Sequence, residues 1–285
     1  MGAIEVNGRR VTWREPETAG PGVPALFAHC SLAHSGLWKP ILEALAPERR
    51  AVAVDMPAHG RSDPPPEGTS LQLHALDACE ALAERMAAAH GGPVHAVGLS
   101  LGGAVLGRLA LKRPDLVRSL TQIEPVWFFL LGPAGDTDKA TAETAFNRRL
   151  SELIEAGDLE GGAKFFVESW GAPGGWDELG PEGRAYAAHC LKHLHADMDM
   201  VHGHPPGQVS VEEIARMRPP LTLIGGGESP ASAHAVLDVI EGAVAGARRV
   251  TIAGAGHLSP VTHWKAVLAE LERSFAEAEA AAAAE

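Results

Sequence analysis

The chain has 285 residues, 46% of them hydrophobic and 21% charged, a composition that excludes disorder and supplies a large core. Its formal charge of −12 argues against a nucleic-acid backbone or an anionic membrane surface as partner. Three widely spaced cysteines, Cys30, Cys79 and Cys190, form neither a CxxC pair nor a disulfide framework, which points to a reducing compartment.

The opening residues MGAIEVNGRR lack a basic segment followed by an apolar one, and no apolar run approaches the length of a membrane span. A myristoylation pattern begins at Gly2 but has Val6 where serine or threonine is required. A cytoplasmic location is therefore expected.

Read in order, IEVNGRRVTWRE predicts a hairpin turning at Asn7-Gly8. PALFAHC (24–30) and RAVAVDM (50–56) are continuous apolar runs of strand length. Between them Leu37, Trp38, Ile41, Leu42 and Leu45 recur at helical spacing. A helix over 70–90 precedes a third apolar run, VHAVGL (94–99), and a helix closed by Pro114 precedes VRSLTQIE (117–124). The alternation resumes with strands at 221–226 and 248–254, a helix over 231–245 between them and a last helix over 260–280. Buried strands separated by helices predict an α/β fold with a mostly parallel sheet. Residues 125–216 break this rhythm and hold most of the aromatics, which predicts an all-helical insertion between two strands. The expected division is a core of 1–124 and 217–285 with the insertion at 125–216.

In such sheets functional groups gather beyond the carboxyl ends of the strands. Ser100 follows the third apolar run within Gly98-Leu99-Ser100-Leu101-Gly102, the G-x-S-x-G pattern in its strand–turn–helix context. Glycines suit a turn where helix and strand backbones nearly touch, and the following helix leaves N–H groups free to face an oxyanion. Ser100 is thus the candidate nucleophile. A serine hydroxyl needs a base, and His257, in AGAGHLSP beyond the 248–254 strand, is the candidate. An acid must orient the imidazole. Glu124, closing the 117–124 strand, is favoured, and Glu228, in the loop GGESPAS, is its rival. The loop HCSLAHSGLW (29–38) is placed to donate the second oxyanion N–H, from Ser31, beside that of Leu101. His29, Cys30 and His34 of this loop are candidates for touching substrate.

His189, His193, His195, His202 and His204, with Asp197 and Asp199, crowd residues 188–204. No complete ligand set is fixed there, and no metal is expected. Gly225–Gly227 lack the lysine of a phosphate loop, and no G-x-G-x-x-G opens a helix. No cofactor is expected.

Ser100, an acid and His257 in that chain order resemble the α/β-hydrolase superfamily. HCSLAHSGLW stands where the family's oxyanion loop is expected. DMPAHGRSD (55–63) matches the family's Asp-x-Pro-Gly-His-Gly-x-Ser-Asp turn with Ala58 replacing a glycine, GLSLGG is the elbow and GAGHLSP the histidine loop. Cys30 stands where glycine is usual, and Ser229 where many members carry the catalytic aspartate. Haloalkane dehalogenases are similar in taking their acid from the end of the same strand, but their nucleophile is aspartate. The resemblance implies an α/β-hydrolase fold of about eight strands with 125–216 as a helical cap. Within that cap Trp127 and Phe128 are the favoured pocket residues.

The expected activity is that of a serine hydrolase of the carboxylesterase kind, acting on a small ester or related acyl substrate. A thioesterase, lactonase or carbon–carbon bond hydrolase would use the same residues. A ligand-binding protein with little turnover is the alternative from another class. Oligomeric state is left open.

Overall fold

A computed structural model describes residues 1–171, 174–194, 197 and 208–284. Asn7 and Gly8 both take left-handed backbone angles (φ 49° and 71°). This is the turn that joins β1 (Gly2–Val6) to β2 (Arg9–Arg14) as a tight hairpin. The apolar runs become β3 (Gly22–Ala28), β4 (Arg49–Asp55), β5 (Val94–Leu99), β6 (Val117–Ile123), β7 (Leu221–Gly226) and β8 (Arg248–Ile252).

Together they form one eight-stranded sheet in the order β1-β2-β4-β3-β5-β6-β7-β8. Only the β1–β2 and β2–β4 pairings are antiparallel. β3, β4, β5 and β6 are almost wholly buried, which is why their sequences read as unbroken apolar runs rather than alternations.

Helices cover both faces. One face packs α2 (Leu71–His90), α3 (Leu101–Lys112) and α9 (Ala231–Ala243) through Leu82, Leu106 and Val236. The other packs α1 (Lys39–Leu45) and α11 (Trp264–Ala283) through Ile41, Leu271 and Phe275. The single helix expected over 260–280 is in fact two. A short turn, α10 (Ser259–Thr262), with Pro260 in its first turn, is followed by a break at His263 before α11.

Between β6 and β7 the described residues form helices alone. These are α4 (Thr137–Glu155), α5 (Leu159–Trp170), α6 (Gly175–Glu178), α7 (Pro181–Leu194) and α8 (Val211–Ile214), with a 3-10 turn at Phe128–Leu130. Among the described residues no helix is long and apolar enough to cross a membrane.

The strand order reverses where β3 and β5 lie side by side, with Ala28 paired to Gly98. Chain from β3 leaves toward β4 on one side, and chain from β5 leaves toward β6 on the other. Such a switch point opens a crevice at the carboxyl end of the sheet. The loops that follow these two strands carry Ser31 and Ser100.

Candidate active site

Ser100 sits between β5 and α3 with φ 57° and ψ −116°, a conformation that costs an L-residue energy and persists only where its surroundings fix it. The fixing contacts are glycines. A Cβ on Gly98 would lie 2.3 Å from the Gly102 oxygen, and one on Gly102 would lie 2.3 Å from the Ala28 oxygen. The Gly102 N–H donates to the His29 carbonyl at 3.1 Å, and the Ser100 N–H donates to Ile123 at 2.8 Å. Helix α3, strand β5 and the loop after β3 are thereby drawn together.

His257 lies in the loop after β8, and its Nδ1 is 2.6 Å from Glu124 Oε2. Glu124 follows the last residue of β6, also at a positive φ of 45°. Its other oxygen, Oε1, accepts the Gly226 N–H at 2.6 Å and the Ser229 hydroxyl at 2.5 Å. Burial works to raise this carboxyl, but the charge and hydrogen bond of His257, with the Ser229 and Gly226 donors, outweigh it. The net effect holds it below the usual carboxylate range. Glu228 is exposed, and its backbone N–H donates to Ala255, so its side chain stands apart from this pair. Ser100 and His257 both line a cavity of about 680 Å³.

The loop after β3 is braced from below by two neutral imidazoles. His29 accepts the Met56 N–H on Nε2 (3.0 Å), so its Nδ1–H donates to the Cys30 carbonyl (2.7 Å). His59 accepts the Leu32 N–H on Nε2 (3.2 Å), and its Nδ1–H donates to the Pro57 carbonyl (2.9 Å). Burial, aided by nearby imidazoles, pushes His29 down to about 3 and His59 to about 4. Asp55 holds the next residues by accepting the Ser35 N–H and the Thr12 hydroxyl, both at 2.8 Å. The turn 55–63 is thus the scaffold of the loop above it. Ala58 keeps the left-handed angle (φ 62°) that a glycine would adopt there freely.

Cys30 lines the cavity without a left-handed angle; the strain in this loop falls on Leu32 (φ 61°) instead. Burial raises the Cys30 thiol to about 12, so it is a neutral wall and not a thiolate. Ser31 and His34 line the same cavity. The His34 Nδ1 accepts the Gly36 N–H at 3.0 Å. Neither the Ser31 nor the Leu101 N–H meets a backbone or side-chain acceptor among the described residues.

Three expected pocket residues are placed elsewhere. His29 is wholly buried beneath the loop, both ring nitrogens engaged. Trp127 is wholly buried and packs where a Cβ on Gly107 of α3 would stand 2.6 Å from its ring. Phe128 sits behind the cavity wall, 5.5 Å from the ring of Trp170. Phe166, Val167 and Trp170 of α5 and Tyr186 and Ala187 of α7 share that wall with the loop after β3. Trp170 meets His257 edge-on at 5.0 Å.

Tyr186 does more than line the cavity. Its hydroxyl donates to the Ala33 carbonyl at 2.7 Å and accepts the Gly60 N–H at 2.8 Å. It thereby ties α7 to both the loop after β3 and its scaffold. The sequence signal was slight: it is the chain's one tyrosine, at a position that helical periodicity alone does not aim.

Of the histidine-rich segment, His189 and His193 contact each other edge-on at 5.2 Å. The Asp197 carboxylate instead accepts the N–H groups of Leu71 and Gln72 and the Ser70 hydroxyl, capping α2. His195, His202, His204 and Asp199 lie outside the described residues. Among the described residues no group of three metal-ligating side chains occurs.

A family model described as alpha/beta hydrolase family matches residues 25–271. A pimeloyl-[acyl-carrier protein] methyl ester esterase of Nitrosomonas europaea is 35% identical over 107 residues. That match covers 38% of this chain and 39% of the relative's own length. Among solved structures, a hydrolase from Pseudomonas aeruginosa PA01 superposes with a TM-score of 0.73 at 23% identity, covering 96% of this chain and 97% of that one. The enol-lactonase from Burkholderia xenovorans LB400 superposes with a TM-score of 0.68 at 16% identity, covering 96% and 100%. A serine on a strained elbow after β5, a histidine after β8 and a sheet order reversing between β3 and β5 accord with a family match running across most of the sequence, and the chain belongs to the alpha/beta hydrolase family.

Proposed function

We propose that the chain is a serine hydrolase cleaving small carboxylic esters through an acyl-enzyme. The observation that carries this reading is His257, which faces the cavity it shares with Ser100 while Glu124 holds its Nδ1 at 2.6 Å. With Nδ1–H donated to the carboxylate, Nε2 is left as the base for the Ser100 hydroxyl.

Ser100 Oγ bonds to the ester carbonyl carbon as its proton passes to His257 Nε2, and Glu124 stabilises the resulting imidazolium. The Ser31 and Leu101 N–H groups receive the oxyanion. Collapse of the tetrahedral intermediate breaks the bond to the alcohol, which leaves with the proton from His257. Water, deprotonated by the same imidazole, then attacks the acyl carbon and releases the acid and free Ser100.

Residues 125–216 act as the cap, since α5, α6 and α7 share the cavity wall with the loop after β3. Esterase and lactonase names among the similar proteins support hydrolysis at a carbonyl and favour esters and lactones over other acyl compounds. The absence of an aspartate at position 229 would suit a binding protein without turnover; Glu124 at 2.6 Å from the imidazole supports the hydrolase reading instead.

The test is a burst assay with 4-nitrophenyl acetate and labelling by a fluorophosphonate. Wild type releases one equivalent of nitrophenol rapidly and is labelled at Ser100, whereas Ser100→Ala does neither. Equal release by both proteins refutes the proposal.

A further inference from the structure

The cavity above Ser100 is large, apolar and devoid of any lysine or arginine among the described residues that line it. The undescribed stretches 172–173 and 195–207, apart from Asp197, hold neither residue type in their sequence. Among the described residues the one carboxylate lining the cavity is Glu178, exposed at the C-terminal end of α6. Cys30 and Tyr186 contribute no charge, because burial raises both the thiol and the phenol.

A carboxylate brought into such a space loses its hydration and needs hydrogen-bond donors or a cation in return. Few donors on the wall are free, and none belongs to a lysine or arginine. The Tyr186 hydroxyl donates to Ala33, and His34, whose Nδ1 accepts the Gly36 N–H, offers a single Nε2–H. The Ser31 and Leu101 N–H groups are reserved for the reacting carbonyl under the reading above. Glu178 adds repulsion at the cavity, and the formal charge of −12 adds a field of the same sign.

We propose, resting on the function assigned above, that the site takes uncharged acyl esters with an aliphatic chain and rejects acyl chains that end in a carboxylate, with Glu178 as a specificity-determining residue. Phe166, Val167 and Trp170 then receive the chain by apolar contact, and discrimination is a difference in affinity produced by a missing counter-ion and a like charge.

Two matched pairs separate this inference from the function it rests on. Binding is read by calorimetry on Ser100→Ala, with methyl hexanoate against monomethyl adipate, which differ in a terminal methyl or carboxylate. Turnover is read on wild type with 4-nitrophenyl hexanoate against mono-4-nitrophenyl adipate. The neutral member is expected to win by about 10- to 100-fold in both. Glu178→Gln is expected to narrow the ratio, whereas Glu168→Gln, an equal change of charge on an exposed residue of α5 outside the cavity wall, is expected to leave it. Equal binding of the two methyl esters, or absence of binding by both, overturns the inference. So does a ratio that moves equally in both variants, since net charge alone would then be responsible. Selective binding without turnover by wild type upholds the inference and refutes the hydrolase.

Discussion

The Glu124 carboxylate reaches His257 at 2.6 Å with one oxygen and the Ser229 hydroxyl at 2.5 Å with the other. Ser229 stands where the family resemblance leads one to look for an acid, and in this chain it supports an acid instead. β6 and β8 flank β7 in the sheet, so a longer side chain from the end of β6 crosses the end of β7 to meet the histidine loop. The Gly226 N–H at the end of β7 donates to Glu124 on the way, at 2.6 Å. Carboxylate, supporting donor and imidazole are therefore drawn together beyond the ends of three adjacent strands.

Replacement of Glu124 by glutamine tests this arrangement directly. Glutamine keeps the size but removes the charge that stabilises the imidazolium, and its amide group favours the wrong tautomer. A fall in kcat of about 10³- to 10⁴-fold is expected, by analogy with amide replacement of a triad acid. Glu228→Gln, on an exposed side chain, is expected to match wild type. Steady-state kinetics on both variants decide the matter, and near-normal activity of Glu124→Gln removes it from the machinery.

The elbow was readable because Gly98 and Gly102 have only one use in that context, a backbone approach so close that a Cβ on either would stand 2.3 Å from a carbonyl oxygen. Strand positions were readable for a related reason, since burial on both faces writes continuous apolar runs. Trp127 and Phe128 were misjudged because chain proximity to Glu124 says nothing about direction. Gly107, one turn after Gly103 on α3, opens the space into which Trp127 turns, and that is a relation between distant segments. The same holds for Trp170 and Tyr186. Their periodicity marks a helix face, but which face meets the cavity depends on how the helices between β6 and β7 seat on the sheet.

Ser229→Ala removes one of the donors that hold Glu124 below the usual carboxylate range, so the carboxyl rises in the variant. Under the proposed mechanism the carboxyl acts ionised, so the acid limb of the kcat/KM profile is expected to move to higher pH. The sign for stability follows. A depressed carboxyl contributes stability above its unfolded value, and this is lost as pH falls through the folded one. The variant is therefore less stable than wild type at neutral pH, by about 1 to 2 kcal/mol, and the gap closes under acid conditions. Denaturant titrations at several pH values measure it, and a pH-independent gap contradicts the assignment.

Glu143 gives the opposite sign. It lies on α4, is 7% exposed, and has one oxygen, Oε2, without a partner among the described residues. Burial raises its carboxyl, opposed by the Ser232 hydroxyl and the charge of His257. A raised carboxyl supplies stability at pH below its unfolded value, which is lost as pH rises through the folded one. Glu143→Gln keeps an acceptor for Ser232 and removes the charge. It is expected to raise stability by about 1 kcal/mol at neutral pH and to change little at about pH 4. Thermal denaturation at both pH values checks this, and a destabilised variant at neutral pH shows that the ionised form is wanted.

Tyr186→Phe separates anchoring of α7 from support of the proposed chemistry. The phenol is half-buried, and its hydroxyl satisfies the Ala33 carbonyl and the Gly60 N–H together. Phenylalanine preserves the ring that meets His34 edge-on at 5.9 Å and deletes both hydrogen bonds, at a cost of about 1 to 2 kcal/mol in stability. Ala33 lies two residues beyond Ser31, whose N–H is the proposed oxyanion donor, so loosening it disturbs the transition state more than the ground state. A kcat reduced by about tenfold at nearly constant KM is the expected signature. If Tm falls while kcat holds, Tyr186 fastens α7 to the core and has no part in positioning the oxyanion loop.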